Sequence, residues 1–196
     1  MNEKSFSLNF TLLTSKMHDA FPIISDFYKH MIERIYGNQK EALEKIAKKS
    51  DRRCELLTQE NGTYSGAIVY KTSLSQELSN EGLYNVFELK SMFLLNENKK
   101  KGGLMFALLL KRAAIKASEA NAHQITCTVS SLRMNVLTLL KKFGFSQLKT
   151  MQNKYVAGVN EHLLIHYDVN QLHKNLDLYL SRIYFITTKI HYNAQK

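Results

Sequence analysis

The stretch from Lys99 to Leu104 combines residue types that could hold an anion. The run from Lys99 to Lys101 is followed directly by Gly102 and Gly103, and an apolar segment then begins at Leu104. Glycines let the backbone turn tightly, and a helix starting at Leu104 would present its free N–H groups and positive dipole end there. Such a turn is suited to hold a phosphate. The simpler alternative is a group of lysines in a solvated turn.

Composition limits what this turn can serve. The chain has 196 residues, 44% of them hydrophobic, and a formal net charge of +10. This size and content suit one globular domain with a core of its own, with room for an appendage. The positive charge indicates an anionic partner, and a nucleotide cofactor, a nucleic acid and an acidic protein all satisfy it.

The sequence contains no pattern that predicts a membrane span, a leader peptide or a metal site. The longest uninterrupted apolar run, Leu104 to Leu110, is far shorter than the roughly 20 residues a membrane helix needs. Cys54 and Cys127 lack the spacing of metal ligands, so we expect reduced, buried thiols. We therefore expect a soluble, cytoplasmic protein without a bound metal.

The N-terminal quarter predicts a strand and two helices. Phe6 to Leu13 alternates apolar and polar residues, which is typical of a half-buried strand. Apolar residues then recur every three or four positions, which predicts a helix from Thr14 to Tyr36 and a shorter one over Asn38 to Lys49. The basic residues from Lys40 to Arg53 are either a solvated helix face or a patch that attracts the substrate.

The next segment predicts three strands. Cys54 to Thr58 and Thr63 to Lys71 flank the pair Asn61-Gly62, which strongly favours a hairpin. Leu74 to Gly82 is predicted to be an irregular loop. Tyr84 to Leu95 is the predicted central strand and leads into the glycine turn.

The segment after the turn predicts a helix, a strand, a second helix and two last strands. The first helix is expected to bury Leu104, Ala107, Leu108, Leu110, Ala114 and Ile115 and to expose Lys111, Arg112 and Lys116. Gln124 to Ser130 is expected to be a parallel neighbour of the central strand. A helix over Leu132 to Lys142 would end at Gly144, before strands at Ser146 to Met151 and Glu161 to Val169.

The C-terminal segment predicts a separate helix. Its apolar residues step alternately by four and three, as in the seam of a coiled coil; they are Leu172, Leu176, Tyr179, Ile183, Ile186 and Ile190. The helix could dock on its own domain or on a second copy, bind another protein, or lie on a membrane surface. We predict a domain over residues 1–169 and a helical extension over 170–196.

Three segments within residues 6 to 168 resemble the GNAT family of N-acetyltransferases. Glu88 to Leu94 is similar to the family's Glu-Ile-x-x-Leu-Tyr-Val strand. Lys100 to Met105 is similar to its (Arg/Gln)-x-x-Gly-x-(Gly/Ala) loop, and Leu139 to Phe145 to its Leu-Tyr-x-Lys-x-Gly-Phe ending. The resemblance implies an α/β fold with a mixed sheet, to which this chain adds a C-terminal helix.

The resemblance also implies acetyl-CoA as the cofactor. Its pyrophosphate would lie on the backbone from Lys100 to Met105, with the lysines nearby. Its pantetheine arm would pair like an extra strand with the backbone of Met92 to Leu94. The implied cofactor-binding residues are Met92, Phe93, Leu94, Lys99, Lys100, Lys101, Gly102, Gly103, Leu104 and Met105.

For the transfer step, the strand motif implies that Glu88 is the base, directly or through a water. A glutamate there could instead fix the strands or bind the substrate. Many family members carry a proton-donating tyrosine where this chain has Leu140, so the usual acid is absent. Tyr155 is a candidate that could reach the site from another direction. His162 and His166 alternate on the last predicted strand, where a structural role is the simpler interpretation.

The resemblance implies transfer of an acetyl group to a primary amine, carried by a small molecule, a protein or an aminoacyl-tRNA. A backbone N–H near Phe93 or Leu94 would stabilise the charge that develops on the acetyl oxygen. The alternative, favoured by Leu140 and Met105, is a catalytically impaired CoA-binding or protein-interaction module. Such a module would act through its C-terminal helix, which could also form a homodimer.

Overall fold

The computed structural model describes residues 8–13, 52–59, 64–71, 73–94, 102–154 and 157–193. Several predicted features lie outside these residues. They are the two N-terminal helices, the Asn61-Gly62 turn, Lys99, Lys100, Lys101 and Tyr155.

The described residues form an α/β fold that combines one sheet with helices lying between its strands and after the last one in the chain. In chain order the elements are β1 (Leu8–Leu13), β2 (Arg52–Gln59), β3 (Tyr64–Lys71), α1 (Gln76–Asn80), β4 (Val86–Leu94), α2 (Gly102–Glu119), β5 (Gln124–Ser130), α3 (Met134–Lys142), β6 (Ser146–Gln152), β7 (Asn160–His166) and α4 (Val169–Asn193).

One seven-stranded sheet joins all the described strands in the order β1-β2-β3-β4-β5-β7-β6. The β4–β5 pair is parallel and the other neighbouring pairs are antiparallel. The predicted mixed sheet and the parallel crossover through α2 are therefore confirmed. Gly144 follows α3 with φ of 95°, a left-handed conformation that favours glycine, so the predicted end of this helix is also confirmed.

The main core lies between one face of the sheet and the helices α2, α3 and α4. Side chains alternate along a strand, so Phe87 and Leu89 of β4 point to the same face as Ile125 and Cys127 of β5. Fully buried leucines from the helices complete this core: Leu109, Leu110, Leu140, Leu172 and Leu176. Burying each is worth about 1.5–3 kcal/mol.

The segment from Leu74 to Gly82 is partly helical, so the prediction of an irregular loop was wrong. Helix α1 occupies its middle, with Ser75 as N-cap residue. The backbone N–H of Leu78 donates to the Ser75 hydroxyl, and the Leu78 side chain is buried. A helix this short has too few residues to show apolar periodicity, and the cap was the signal that could have found it.

Helix α2 differs from the prediction in its start and in its buried face. It begins at Gly102 rather than Leu104. Leu104, Leu108 and Ile115, expected to be buried, are half-buried. The buried residues are Met105, Phe106, Ala107, Leu109, Leu110, Ala113, Ala114 and Ala117. Because α2 packs against both the sheet and α4, its buried surface is wider than one stripe.

The basic residues of α2 are not simply exposed, which also corrects the prediction. Lys111 forms an ion pair with Asp177 of α4. Arg112 and Lys116 both pair with Glu55 of β2, whose side chain is fully buried. These residues join α2 to the elements on either side of it.

Helix α4 packs along α2 for the part whose side chains are described. The Gln171 N–H donates to the Asp168 carboxylate (2.9 Å), which caps the start of the helix. Leu172 and Leu176 of the predicted seam are fully buried in the main core, and Tyr179 packs against it. This is the docking of the helix on its own chain. The division at residue 169 stays a prediction.

The described residues contain neither a candidate membrane-spanning helix nor a candidate metal-binding cluster. Among them, no helix is both long and apolar enough to cross a membrane. The same residues contain no group of histidine, cysteine, aspartate or glutamate side chains that could hold a metal ion.

Candidate functional site

The centre of the sheet opens between β4 and β5. Their parallel ladder runs from the Val86–Gln124 pair to the Leu89–Cys127 pair and ends there, although both strands continue. Beyond it, Ser91 to Leu94 pair with β3, and Thr128 to Ser130 pair with β7. Alternate residues of β4 therefore direct their N–H and C=O groups into the opening. An extended ligand carrying peptide groups could pair there as a strand does.

The N-terminus of α2 presents open backbone. The first N–H groups of a helix have no partner within it and, with the helix dipole, favour an anion. A Cβ added at Gly102 would meet no atom within 4 Å, and one added at Gly103 would lie 3.3 Å from the Tyr179 hydroxyl. Leu104 is half-buried, and Met105 is buried in the core. This first turn fits a phosphate-bearing cofactor by its free donors and its lack of side chains.

The two glycines act differently from the sequence prediction. Both lie inside the helix, and positive φ values occur at other glycines of the described chain, namely Gly82, Gly144 and Gly158. Gly102 and Gly103 therefore provide no left-handed turn. What they provide is space at the first turn, and at Gly103 the Tyr179 hydroxyl lies beside this space.

Glu88 is the third residue of β4 and lies on the sheet face opposite the main core. Its side chain is buried, with 9% of its surface exposed, and it pairs with Lys90 at 2.5 Å and with Lys71 at 4.0 Å. The Lys90 contact uses one carboxylate oxygen, Oε1. The other oxygen, Oε2, is buried and has no hydrogen-bond partner among the described residues. Glu88 therefore retains an oxygen that a substrate or water could use.

A row of buried polar side chains continues from Glu88 across the same face. Thr126 of β5 pairs with Glu88 in the strand register. Every second residue of β5 lies on this same face, which therefore also includes Ser130, and Ser130 pairs with Glu161 of β7. Thr126 is completely buried, and its hydroxyl has no hydrogen-bond partner among the described residues. Unpartnered buried polar atoms are uncommon in folded proteins and cost stability. Their presence beside the strand opening indicates a site for a polar ligand.

Sequence reasoning found Glu88 but missed Thr126, Lys71 and Lys90 as its neighbours. The signal that could have found Thr126 was the parallel pairing, which places it beside Glu88 once the register is known. The approach of Lys71 depends on the irregular register between Val69 and Tyr70, which the sequence does not encode visibly.

Among the other candidates, the structure places both histidines on the core face, away from Glu88. The Asp168 N–H donates to His166 Nδ1 (3.2 Å), and burial lowers the pKa of His166. His162 Nδ1 lies 3.2 Å from the Thr150 hydroxyl. Both positions support the structural interpretation. Leu140 is fully buried in the core, so nothing at this position supplies a proton.

Comparison with known proteins gives the fold. No protein-family model matches the sequence, and no curated protein matches it. The structure is similar to spermidine N-acetyltransferase from Vibrio cholerae, solved with CoA and spermine, with a TM-score of 0.63 and 13% identity. That match covers 84% of this chain and 98% of the other.

Two further structures agree. One assigned as a phosphinothricin N-acetyltransferase matches with a TM-score of 0.62 and 17% identity, covering 82% of this chain and 98% of the other. An acetyltransferase assigned to the GNAT family, from Desulfovibrio desulfuricans, matches with a TM-score of 0.56 and 12% identity, covering 83% and 99%. The chain therefore has the fold of the GNAT acetyltransferases, as its sequence predicted.

Proposed function

We propose that this protein is an N-acetyltransferase that transfers an acetyl group from acetyl-CoA to a primary amine. The observation that carries the proposal is the opening of the parallel pair β4–β5 beside the glycine-led start of α2. Fold alone does not define activity. In this structure the opening and the helix start are accompanied by buried polar groups with unused hydrogen-bonding capacity.

The cofactor would supply an activated acetyl thioester. The backbone from Gly102 to Met105 would bind its pyrophosphate, assisted by Lys99, Lys100 and Lys101. The strand edge of Met92, Phe93 and Leu94 would hold its peptide-bearing arm. A backbone N–H at Phe93 or Leu94 would stabilise negative charge on the acetyl oxygen.

Glu88 is the proposed base. A primary amine must lose a proton to attack a thioester. Glu88 Oε2, which has no hydrogen-bond partner among the described residues, could accept that proton directly or through a water. Lys71 and Lys90 hold the carboxylate in place by ion pairing. Tyr155 is the proposed proton donor to the departing thiol. A thiol with a pKa near 8.5 also leaves readily without one.

The acceptor is proposed to carry a primary amine. The similar Vibrio cholerae enzyme acetylates spermidine according to its name, which favours a small cationic amine here. The net charge of +10 favours a larger, anionic acceptor such as aminoacyl-tRNA, because phosphates are bound mainly by lysine and arginine. We place the reaction in the cytoplasm, and a homodimer through α4 is part of the proposal.

The proposal is tested by incubating the protein with isotopically labelled acetyl-CoA and, separately, a polyamine mixture, a peptide mixture and total charged tRNA. Mass spectrometry should find the label on an amine in one of the three samples. Transfer to tRNA should decline steeply as salt is added if phosphate contacts drive binding. If free CoA forms at the same rate with and without acceptor, the proposed transfer is wrong.

A second function is a CoA-binding or protein-interaction module without turnover, which the buried Leu140 favours. CoA binding without labelled product in any of the three samples would support it. Pull-down with the wild type and with Leu178→Ser, which changes an exposed residue of α4, would then show whether the helix holds the partner.

A further inference from the structure

On the side of α2 that faces α4, the Tyr179 side chain approaches the first turn of α2, where the proposed cofactor site lies. Tyr179 is in the middle of α4, and its hydroxyl lies at the first turn of α2, 3.3 Å from the position of a Cβ on Gly103. Such a separation is shorter than ordinary carbon–oxygen contact. A side chain at residue 103 would require the Tyr179 hydroxyl to shift by a few tenths of an ångström.

Two contacts fix Tyr179 in this position. Its ring packs edge-on against Phe143, with centroids 5.2 Å apart and an interplanar angle of 87°. Within the turn of α4 that precedes Tyr179, Asp177 forms an ion pair with Lys111 of α2. The ring is therefore held from the α3 side and the helix is held from the α2 side, so the hydroxyl has a defined place.

The hydroxyl has unused hydrogen-bonding capacity. Within the described part of the chain it has no hydrogen-bond partner, and the residue is only partly buried. A phenol O–H is a good donor to an anionic oxygen. It lies beside the first turn of α2, whose free N–H groups favour the same kind of ligand.

We propose that Tyr179 donates a hydrogen bond to the pyrophosphate of the bound cofactor, so that the C-terminal helix forms one wall of the cofactor site. The inference rests on the proposed function, since it takes acetyl-CoA as the ligand. It gives α4 a role in binding that neither its seam pattern nor its packing in the core requires.

The test compares the wild type with Tyr179→Phe, which keeps the ring against Phe143 and removes only the hydroxyl. Calorimetric titration should give a dissociation constant for CoA about tenfold larger than that of the wild type, which is the loss of affinity expected when a hydrogen bond to a charged group is removed. The matched control is Tyr167→Phe, because Tyr167 is 56% exposed and lies beside Ala122, near the opposite end of α2. This control should bind CoA as the wild type does.

A second acetyl donor shows which part of the cofactor the Tyr179 hydroxyl contacts. Acetyl-pantetheine lacks the pyrophosphate, so kcat/KM with this donor should be the same for the wild type and Tyr179→Phe. Equal losses with both donors would overturn the pyrophosphate contact. Unchanged or tighter CoA binding by Tyr179→Phe would overturn the inference while leaving the proposed function intact. A wild type that binds no CoA would overturn the proposed function itself.

Discussion

Two buried glutamates on opposite faces of the sheet show how differently this molecule treats the same side chain. Glu55, on the core face, has both carboxylate oxygens in contact with partners: the Tyr70 hydroxyl donates to one at 3.2 Å, and Arg112 donates to the other. Glu88, on the opposite face, has one hydrogen-bonded oxygen and one without such a partner among the described residues.

The difference separates a structural carboxylate from one with capacity for a ligand. A buried charge is tolerated when partners satisfy it, as at Glu55, where Lys116 also lies within 3.5 Å. Glu55 thereby joins β2 to α2. At Glu88, Oε2 lies beside the strand opening, and the Thr126 hydroxyl lies on the neighbouring strand; neither has a hydrogen-bond partner among the described residues. We therefore expect the same substitution to stop the reaction at Glu88 and to leave it intact at Glu55.

The largest expected effect is on activity at Glu88. Glu88→Gln should reduce kcat for acetyl transfer by about 10²–10⁴-fold, because the amide cannot accept the proton. CoA affinity should change little, while the melting temperature should fall, because Lys71 and Lys90 lose their anionic partner. Steady-state assays with an active acceptor, beside CoA titration and thermal unfolding, measure all three. Turnover equal to that of the wild type would remove Glu88 as the base.

The matched change at Glu55 should alter stability without altering catalysis. Glu55→Gln leaves Arg112 and Lys116 without their anionic partner and should lower the free energy of unfolding by about 2–4 kcal/mol. This loss lies toward the low end of the range for breaking a buried ion pair, because Arg112 and Lys116 are both partly exposed to solvent. Urea unfolding measures it. Specific activity per folded molecule should be retained, and a selective loss of kcat would contradict the structural role.

A smaller effect is expected at Thr126. Thr126→Val replaces a fully buried, unpartnered hydroxyl by a methyl group of similar shape, so stability should stay unchanged or rise by up to about 1 kcal/mol. If the hydroxyl binds the acceptor, KM for the amine should rise. Thr150→Val on the exposed strand β6 is the control and should leave KM unchanged. A clear loss of stability in Thr126→Val would show that its hydroxyl is satisfied in the protein.

The smallest effect at neutral pH concerns two titratable side chains on the core face, Cys127 and His166, because burial disfavours the charged form of each. Burial raises the pKa of the Cys127 thiol to about 12, so its contribution to stability is present below the unfolded value near 9 and is lost as pH rises toward 12. Burial lowers the pKa of His166, so its contribution is present above about 6.5 and is lost as pH falls. Unfolding free energies should therefore be flat between these limits. Cys127→Ala should remove part of the alkaline decline.

Much of the fold could be predicted from the sequence because its signals are local. The alternation in Gln124–Ser130, the β-branched residues and the cap at Gly144 each specify an element without reference to distant parts. The buried face of α2 was predicted less well, since α4 covers a second side of that helix. Periodicity within one helix carries no information about a partner that arrives sixty residues later, as Lys111 and Asp177 do.

The candidate site was predictable only in part. Glu88 and the glycine-led helix start were identified by resemblance. The unpartnered Thr126 hydroxyl and the contacts of Lys71 and Tyr179 depend on strand register and helix docking, which individual residues do not reveal. Gly103 is an example: its lack of a Cβ predicts a tight turn, whereas in the structure it lies inside α2 with the Tyr179 hydroxyl 3.3 Å from the position of a Cβ.

The most direct test of the central claim is amine-dependent release of free CoA thiol from acetyl-CoA by the purified protein. The account predicts saturable release in the presence of an accepting amine, matched mole for mole by acetylated product, and its near-complete loss in Glu88→Gln while CoA still binds. Release that ignores the amine, or a protein that binds no CoA at all, would contradict it.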